Sequence, residues 1–306
     1  MRRRNRDRVV TTAIIVHGGA GAIEPDRHAR LREGVRAAAA AGDAILVAGG
    51  SALDAVVAAV RVLEDDPEFN AGRGSALTRE GTVETDASIM CGATQRVGAV
   101  AAVPDLGNAI ALARAVLDAN EHAILAGAAA WKFAAEVGIA PAPAGSLVTE
   151  RARARLAAAL AAKSGGTVGA AARDREGRFA AATSTGGTHG KRAGRVGDSP
   201  IPGAGTWADA NVALSATGDG EAILRVALAR SIAAHGGDLR AAVIAELQEL
   251  ARITGGSAGV IGVDRHGVVG LQLSPAMPIA WVDRAEPGSA LGDSLGYKIG
   301  VRGLPT

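Results

Sequence analysis

The chain has 306 residues, 33 of them Lys or Arg and 31 Asp or Glu, and 48% are hydrophobic. That length and apolar share supply a large core and exclude a disordered chain. One cysteine, Cys91, excludes an internal disulfide framework and a cysteine zinc cluster. Glycine is abundant, 42 residues without a collagen period, while 3 Phe, 3 Trp and 1 Tyr are too few for the stacking platforms of single-stranded nucleic acid binding. Five arginines against one aspartate in residues 1–8 carry a charge of +4 and leave the rest at −2, so the basicity belongs to a tail read as a solvated N-terminus. No apolar run reaches membrane-spanning length and VVTTAIIV lacks a clear cleavage site after it, so the reading is a cytoplasmic protein with no membrane or nucleic-acid partner.

In chain order, residues 9–17 read as a β-branched strand and HGGAG (17–21) as a tight turn. Residues 26–48 read as a helix, and Ser51 to Asp54 as a capping start to a second, ALDAVVAAVRVLE. DDPEFNAGRG breaks that helix. SALTREGTVETDASIM predicts a hairpin turning near Arg79–Gly81, residues 97–103 a strand, and 107–118 and 121–136 two helices. Residues 138–166 read as a surface linker with a mixed-charge helical stretch. Beyond it come a hairpin turning at REG, a strand over WADANVALSAT, helices over GDGEAILRVALARSIAAHG and DLRAAVIAELQELARI, and a last hairpin turning at RHG. Antiparallel strands with runs of helices between them imply a layered α/β (α+β) architecture rather than a regular βαβ alternation.

Three motifs fail on context. Gly255-Gly-Ser257-Ala-Gly259 matches a nucleophile elbow, but a helix precedes it and a strand follows, the reverse of what an elbow needs. Gly19-Ala-Gly21 opens a dinucleotide fingerprint that ends on Glu24, and the phosphate-loop resemblance at Gly186–Lys191 fails on both sides. No two histidines stand four apart on a predicted helix, and Glu64-Asp65-Asp66 reads from spacing as a solvated helix end.

The densest chemistry lies in 165–221, where small hydroxyl residues alternate with glycines around Arg195, Asp198 and a Thr-Gly-Asp-Gly turn. A set of Gly-rich strand turns would look similar. No single loop needs all these glycines, however, whereas a site with close backbone approach does.

Here the residues resemble a family. HGGAG (17–21), LEDDPEFNAGRGSALTREGTVETDASIM (63–90), GTVGA (166–170), AAATSTGG (180–187), GRVGDSPIPGAG (194–205) and TGDGE (217–221) resemble, in order, the plant-type L-asparaginases and isoaspartyl peptidases of the N-terminal-nucleophile hydrolases. The resemblance implies a single domain over 1–306 folded as a four-layer αββα sandwich with two facing, mainly antiparallel sheets. It implies an autocatalytic cut at Gly166–Thr167, giving an α chain of 1–166 and a β chain of 167–306. An N-terminal Thr can use its own α-amine, reference pKa about 7.7–8.0, as base, and glycine before it tolerates the bent backbone the cut requires.

By the same resemblance Thr167 is the nucleophile, Thr185 orients it, and Thr217 with the Gly218 N–H forms the oxyanion hole. Arg195 clamps the substrate α-carboxylate, Asp198 and the Gly220 carbonyl take its α-ammonium, and Asn70 supports the nucleophile. Asp219, inside the oxyanion turn, departs from the family pattern and would add negative charge near that ammonium. Backbone carbonyls of Leu63, Glu64, Asp66, Phe69, Ala71 and Arg73 form a sodium loop. No cofactor is implied for catalysis. The implied activity is hydrolysis of L-asparagine and β-aspartyl dipeptides by an (αβ)2 homodimer acting on a small amino acid or dipeptide. Alternatives are a glycosylasparaginase-like hydrolase and an unprocessed Gly-rich binding protein.

Overall fold

The computed structural model describes residues 11–159, 166–284 and 291–300. The basic tail over 1–8 and the last part of the linker, 160–165, lie outside the described residues. The β-branched run opening the chain forms β1 (Ala13–His17), followed by α1 (His28–Val47) and α2 (Ala52–Asp65). Ser51 caps α2 as read, its Oγ accepting the Asp54 N–H at 3.2 Å, a bond of a kind that stabilises by about 1 kcal/mol. Next come β2 (Glu84–Cys91), β3 (Val97–Pro104), α3 (Ala109–Ala119), β4 (Ile124–Ala126), α4 (Ala130–Glu136) and α5 (Glu150–Ala159). The second half runs β5 (Val168–Arg173), β6 (Phe179–Thr185), β7 (Thr206–Ala208), β8 (Val212–Gly218), α6 (Gly220–Val226), α7 (Leu228–His235) and α8 (Leu239–Thr254). It ends with β9 (Ala258–Asp264), β10 (Val268–Gln272), β11 (Ile279–Asp283), β12 (Gly292–Ser294) and β13 (Tyr297–Lys298).

The strands form two sheets, ordered β12-β11-β1-β5-β6-β2-β3-β4 and β13-β10-β9-β8-β7. Both are mainly antiparallel, with β3–β4 and β10–β13 as parallel pairs. Helices α1, α2 and α3 cover one face of the larger sheet, and α6, α7 and α8 pack on the smaller. The bare faces meet, β5 and β6 against β8 and β1 against β9, which gives the four-layer αββα sandwich. Alternation along β1 makes this concrete. Ile14 and Val16 join the core under the helices, whereas Ala13 and Ile15 join the core between the sheets. A strand buried on both faces loses the apolar–polar alternation that marks a half-exposed one.

Several predicted elements change form. The hairpin over 75–90 reduces to one bridge, Leu77 with Val83, because β2 pairs with β3 and β6 instead. Residues 124–126 are strand, not the start of a helix, because they extend the sheet edge beside β3. WADANVALSAT spans two strands, β7 and β8, joined by a turn in which Asp209 Oδ1 accepts the Asn211 and Val212 N–H groups. The helix read over 218–236 breaks at Ala227, whose φ of +48° is left-handed. The linker is no loose strap: Leu147 and Ala152 are buried against Leu77 and Val83, and Arg151 pairs with Glu68 at 2.8 Å.

Candidate active site

The hairpin of β5 and β6 brings two threonines together. Thr167 stands immediately before β5, Thr185 ends β6, and both are buried. Their hydroxyl oxygens lie 3.4 Å apart. Between them the Gly166 carbonyl accepts two hydrogen bonds, from Thr185 Oγ1 at 2.7 Å and from Asn70 Nδ2 at 2.6 Å. Asn70 is itself locked, giving its second amide N–H to the Gly187 carbonyl and accepting the Ala76 N–H. Two donors on one carbonyl oxygen polarise it and stabilise negative charge developing there. The bond so prepared is the one preceding Thr167.

Thr217 reaches this centre through HGGAG. Its buried Oγ1 accepts the Ala20 N–H at 3.2 Å, while a side-chain carbon placed on Gly19 would lie 3.2–3.3 Å from the Thr167 backbone. Gly218 follows with φ +138°, a conformation open to glycine, and its strand partner crowds the space a β-carbon would need.

Arg195 and Asp198 converge a short way off. A carbon on Gly220 would sit 2.7 Å from Asp198 Oδ1 and 2.9 Å from Arg195 Nη2, so only glycine leaves that space open between them. The Arg195 guanidinium also lies against Gly187, whose N–H bonds Thr185 Oγ1. Its Nε–Nη2 edge is held by Glu221 at 3.0 and 2.8 Å. Asp198 is buried, and its Oδ2 has no hydrogen-bond partner among the described residues. Burial pushes this carboxyl up to about 7, opposed by the Arg195 charge. A buried acceptor without a donor, beside a guanidinium, fits a ligand bearing both a cation and an anion. Asp219 caps α6, its Oδ1 accepting the Ala222 N–H at 3.3 Å.

The acidic helix end is corrected as well. Glu64 is fully buried rather than solvated, accepting from Ser184 Oγ at 2.6 Å and the Ile110 N–H at 3.0 Å, and burial pushes it up to about 7. Among the described residues no group of three or more His, Cys, Asp or Glu could hold a metal ion. In the loop that follows, glycines let carbonyls approach closely. A carbon on Gly74 would meet the Phe69 and Pro67 carbonyls, and one on Gly72 the Glu64 carbonyl. The Asp66 and Ala71 carbonyls accept the Phe69 and Gly74 N–H groups and keep a second lone pair each.

Four residues near the centre escaped the sequence reading as participants. His17 is buried beside Thr167, and Glu221 holds Arg195. Lys191 is buried with its Nζ donating to the Glu84 carbonyl at 2.8 Å, and Asp86, behind it, accepts the Ala102 N–H. A buried lysine and aspartate have the same letters as exposed ones, so spacing carries no signal for them.

Two facing antiparallel sheets between helices, with a threonine heading a central strand under a prepared carbonyl, define the N-terminal-nucleophile hydrolase type of fold. Residues 10–287 match the family profile described as Asparaginase, and the chain belongs to that family. It is 44% identical over 294 residues to isoaspartyl peptidase/L-asparaginase of Bos taurus, covering 92% of this chain and 93% of the relative. It is 49% identical over 237 residues to the protein of that name in Rattus norvegicus, covering 74% and 71%. It is 42% identical over 275 residues to plant-type L-asparaginase of Pyrobaculum calidifontis, covering 84% and 91%.

Proposed function

We propose that the chain cuts itself between Gly166 and Thr167 and then hydrolyses the side-chain amide of L-asparagine and the isopeptide bond of β-aspartyl dipeptides. The observation that carries this reading is the Gly166 carbonyl, held by Asn70 Nδ2 and Thr185 Oγ1 beside the Thr167 hydroxyl. In the first reaction Thr167 Oγ1 attacks the Gly166 carbonyl carbon and the peptide C–N bond breaks, giving an ester and a free α-amine. Water hydrolyses the ester to the Gly166 carboxylate and restores the threonine hydroxyl. The new α-amine, partly neutral near pH 8, is then the base.

In the second reaction that amine takes the Thr167 hydroxyl proton as Oγ1 attacks the substrate side-chain carbonyl. Thr217 Oγ1 and the Gly218 N–H stabilise the oxyanion, each such donor contributing roughly 3–4 kcal/mol. The proton passes to the leaving ammonia or amino acid, and water hydrolyses the acyl ester to aspartate. Arg195 holds the α-carboxylate by its fork and Asp198, with the Gly220 carbonyl, the α-ammonium. The unpartnered Asp198 Oδ2 supports that assignment.

The α2–β2 loop belongs to the same reading. Carbonyls of Leu63, Glu64, Asp66, Phe69, Ala71 and Arg73 would hold a sodium ion, a donor set that suits a hard cation. Such an ion would supply rigidity to the loop that carries Asn70. Pairing of two processed units as (αβ)2 is likewise part of the proposal.

The test is release of aspartate from L-asparagine and from a β-aspartyl dipeptide by the purified chain. Turnover of both substrates is expected, and turnover of neither would contradict the reading. Glu221 gives a finer prediction. Because it holds the Nε–Nη2 edge and aims the rest of the Arg195 fork into the site, Glu221→Gln is expected to raise KM about tenfold, equivalent to ~1.4 kcal/mol, with kcat little changed. A lower KM would show instead that Glu221 competes with the substrate carboxylate.

A further inference from the structure

The polar interior between the sheets goes further than the two reactions require. His17, at the end of β1, is buried, and its ring lies over Gly169 of the paired strand β5. Its Nδ1 faces the Gly19 N–H at 3.3 Å and its Nε2 faces Ser215 Oγ at 2.9 Å, the contact pattern of the tautomer with its proton on Nε2. Ser215 Oγ is 2.8 Å from Thr183 Oγ1, which donates in turn to the Gly205 carbonyl at 3.2 Å. Thr206 Oγ1 donates to Thr183 Oγ1 at 2.6 Å. Ser88 Oγ lies 2.7 Å from Thr206 Oγ1 and 2.6 Å from the Ser199 carbonyl. His17 and these four hydroxyl residues are all buried.

We infer that His17 is a positioning residue for the Thr167 nucleophile, its tautomer fixed by the chain of hydroxyls Ser215, Thr183, Thr206 and Ser88. This rests on the reading of Thr167 as the nucleophile. The geometry connects both ends of the site. At one end, the Nδ1 lone pair holds Gly19, whose turn lies against the Thr167 backbone and presents the Ala20 N–H to Thr217 Oγ1. The relative placement of nucleophile and oxyanion hole thus depends on which ring nitrogen is bare. At the other end, the hydroxyls close on the Ser199 and Gly205 carbonyls, and the Gly205 N–H returns to the Asp198 carbonyl at 3.0 Å.

Burial lowers His17 to about 3, against the opposing pull of the Thr167 backbone, so the ring stays neutral where the enzyme works and acts by hydrogen bonding alone. Gly169 is part of the device. A carbon there would lie 2.6 Å from His17 Nε2 and would overlap Ser215 Oγ, so glycine opens the gap in which the two meet.

The test compares Ser215→Ala, His17→Leu and His17→Gln with the parent chain, using a β-aspartyl dipeptide as substrate. Rates are normalised to the cut fraction read by intact mass, and thermal unfolding is recorded alongside. Small displacements of reacting groups cost up to about 10²-fold. The expected losses in kcat are therefore about tenfold for Ser215→Ala and about 10²-fold for His17→Leu, with KM within twofold of the parent. Gln can donate from its own Nε2, so His17→Gln is expected to recover to within about tenfold. Equal losses for Leu and Gln, or kcat within twofold of the parent in both Ser215→Ala and His17→Leu whatever happens to Tm, would overturn the inference. If His17→Leu does not fold, Ser215→Ala decides alone, since it removes a single oxygen. A parent chain that neither cuts nor hydrolyses would overturn the reading of Thr167 itself.

Discussion

The Thr167→Ala chain is expected to remain in one piece and to lose amide hydrolysis by at least about 10⁴-fold, the scale on which removing a nucleophile acts. Asn70 and Thr185 still hold the Gly166 carbonyl in this variant, because neither bond uses the Thr167 side chain. The electrophile stays prepared while the attacking oxygen is gone. The cost to the fold is small, since among the described residues the Thr167 hydroxyl's hydrogen bond is the long 3.4 Å one to Thr185. Denaturing gels, intact mass and thermal unfolding on the same sample separate the two effects. An uncut chain with near-parent Tm is the expected pattern. A Thr167→Ala chain that still splits between 166 and 167 would remove Thr167 from the cutting reaction.

Asp198→Asn is expected to lower kcat/KM by about 10²–10³-fold, the range for truncating one partner of a buried charge pair. The same change is expected to stabilise the unliganded protein at pH 8. Burial lifts the folded-state carboxyl to about 7, well above its ordinary value. Between the unfolded and folded values the native state holds a proton that the unfolded state has released. Stability contributed by this group therefore falls as pH rises from about 4 to 7. The neutral amide escapes that penalty. Glu64, also raised to about 7 by burial, contributes with the same sign. If Asp198 pairs with the substrate ammonium as proposed, that pairing needs the ionised carboxylate, so KM should rise as pH falls below about 7. Urea unfolding at pH 5 and pH 8, with KM across the same range, checks all of this. Loss of stability at pH 8 in Asp198→Asn would contradict the assignment of Oδ2 as an acceptor waiting for a ligand.

The sequence made the site more legible than the sheets. The glycines around Thr167, Thr185 and Thr217 marked close backbone approach, and the structure brings those segments together through Gly19, Gly187 and Gly220. The β5–β6 and β9–β10 hairpins were readable because their turns carry REG and RHG, and both pair as expected. The β2 strand was readable but its partners were not, since β6 joins it from almost a hundred residues away. The closing strands β11 to β13 went unread because they are short and owe their form to pairing, β11 with β1, β12 with β11 and β13 with β10. Charge burial was the other blind spot. Glu64 stands in an acidic run that looks solvated, yet it bonds Ser184 and the start of α3 inside the core. His17 sat in a motif read as a turn, and only its placement against Ser215 gives the ring a part in the site.

Intact-mass analysis of the purified parent chain, followed by N-terminal sequencing of the fragments, tests the central claim most directly. Two fragments are expected, the second beginning TVGAA at Thr167, with amide hydrolysis appearing in step with the cut. A chain that hydrolyses asparagine while still whole, or that is cut at any other bond, would contradict it.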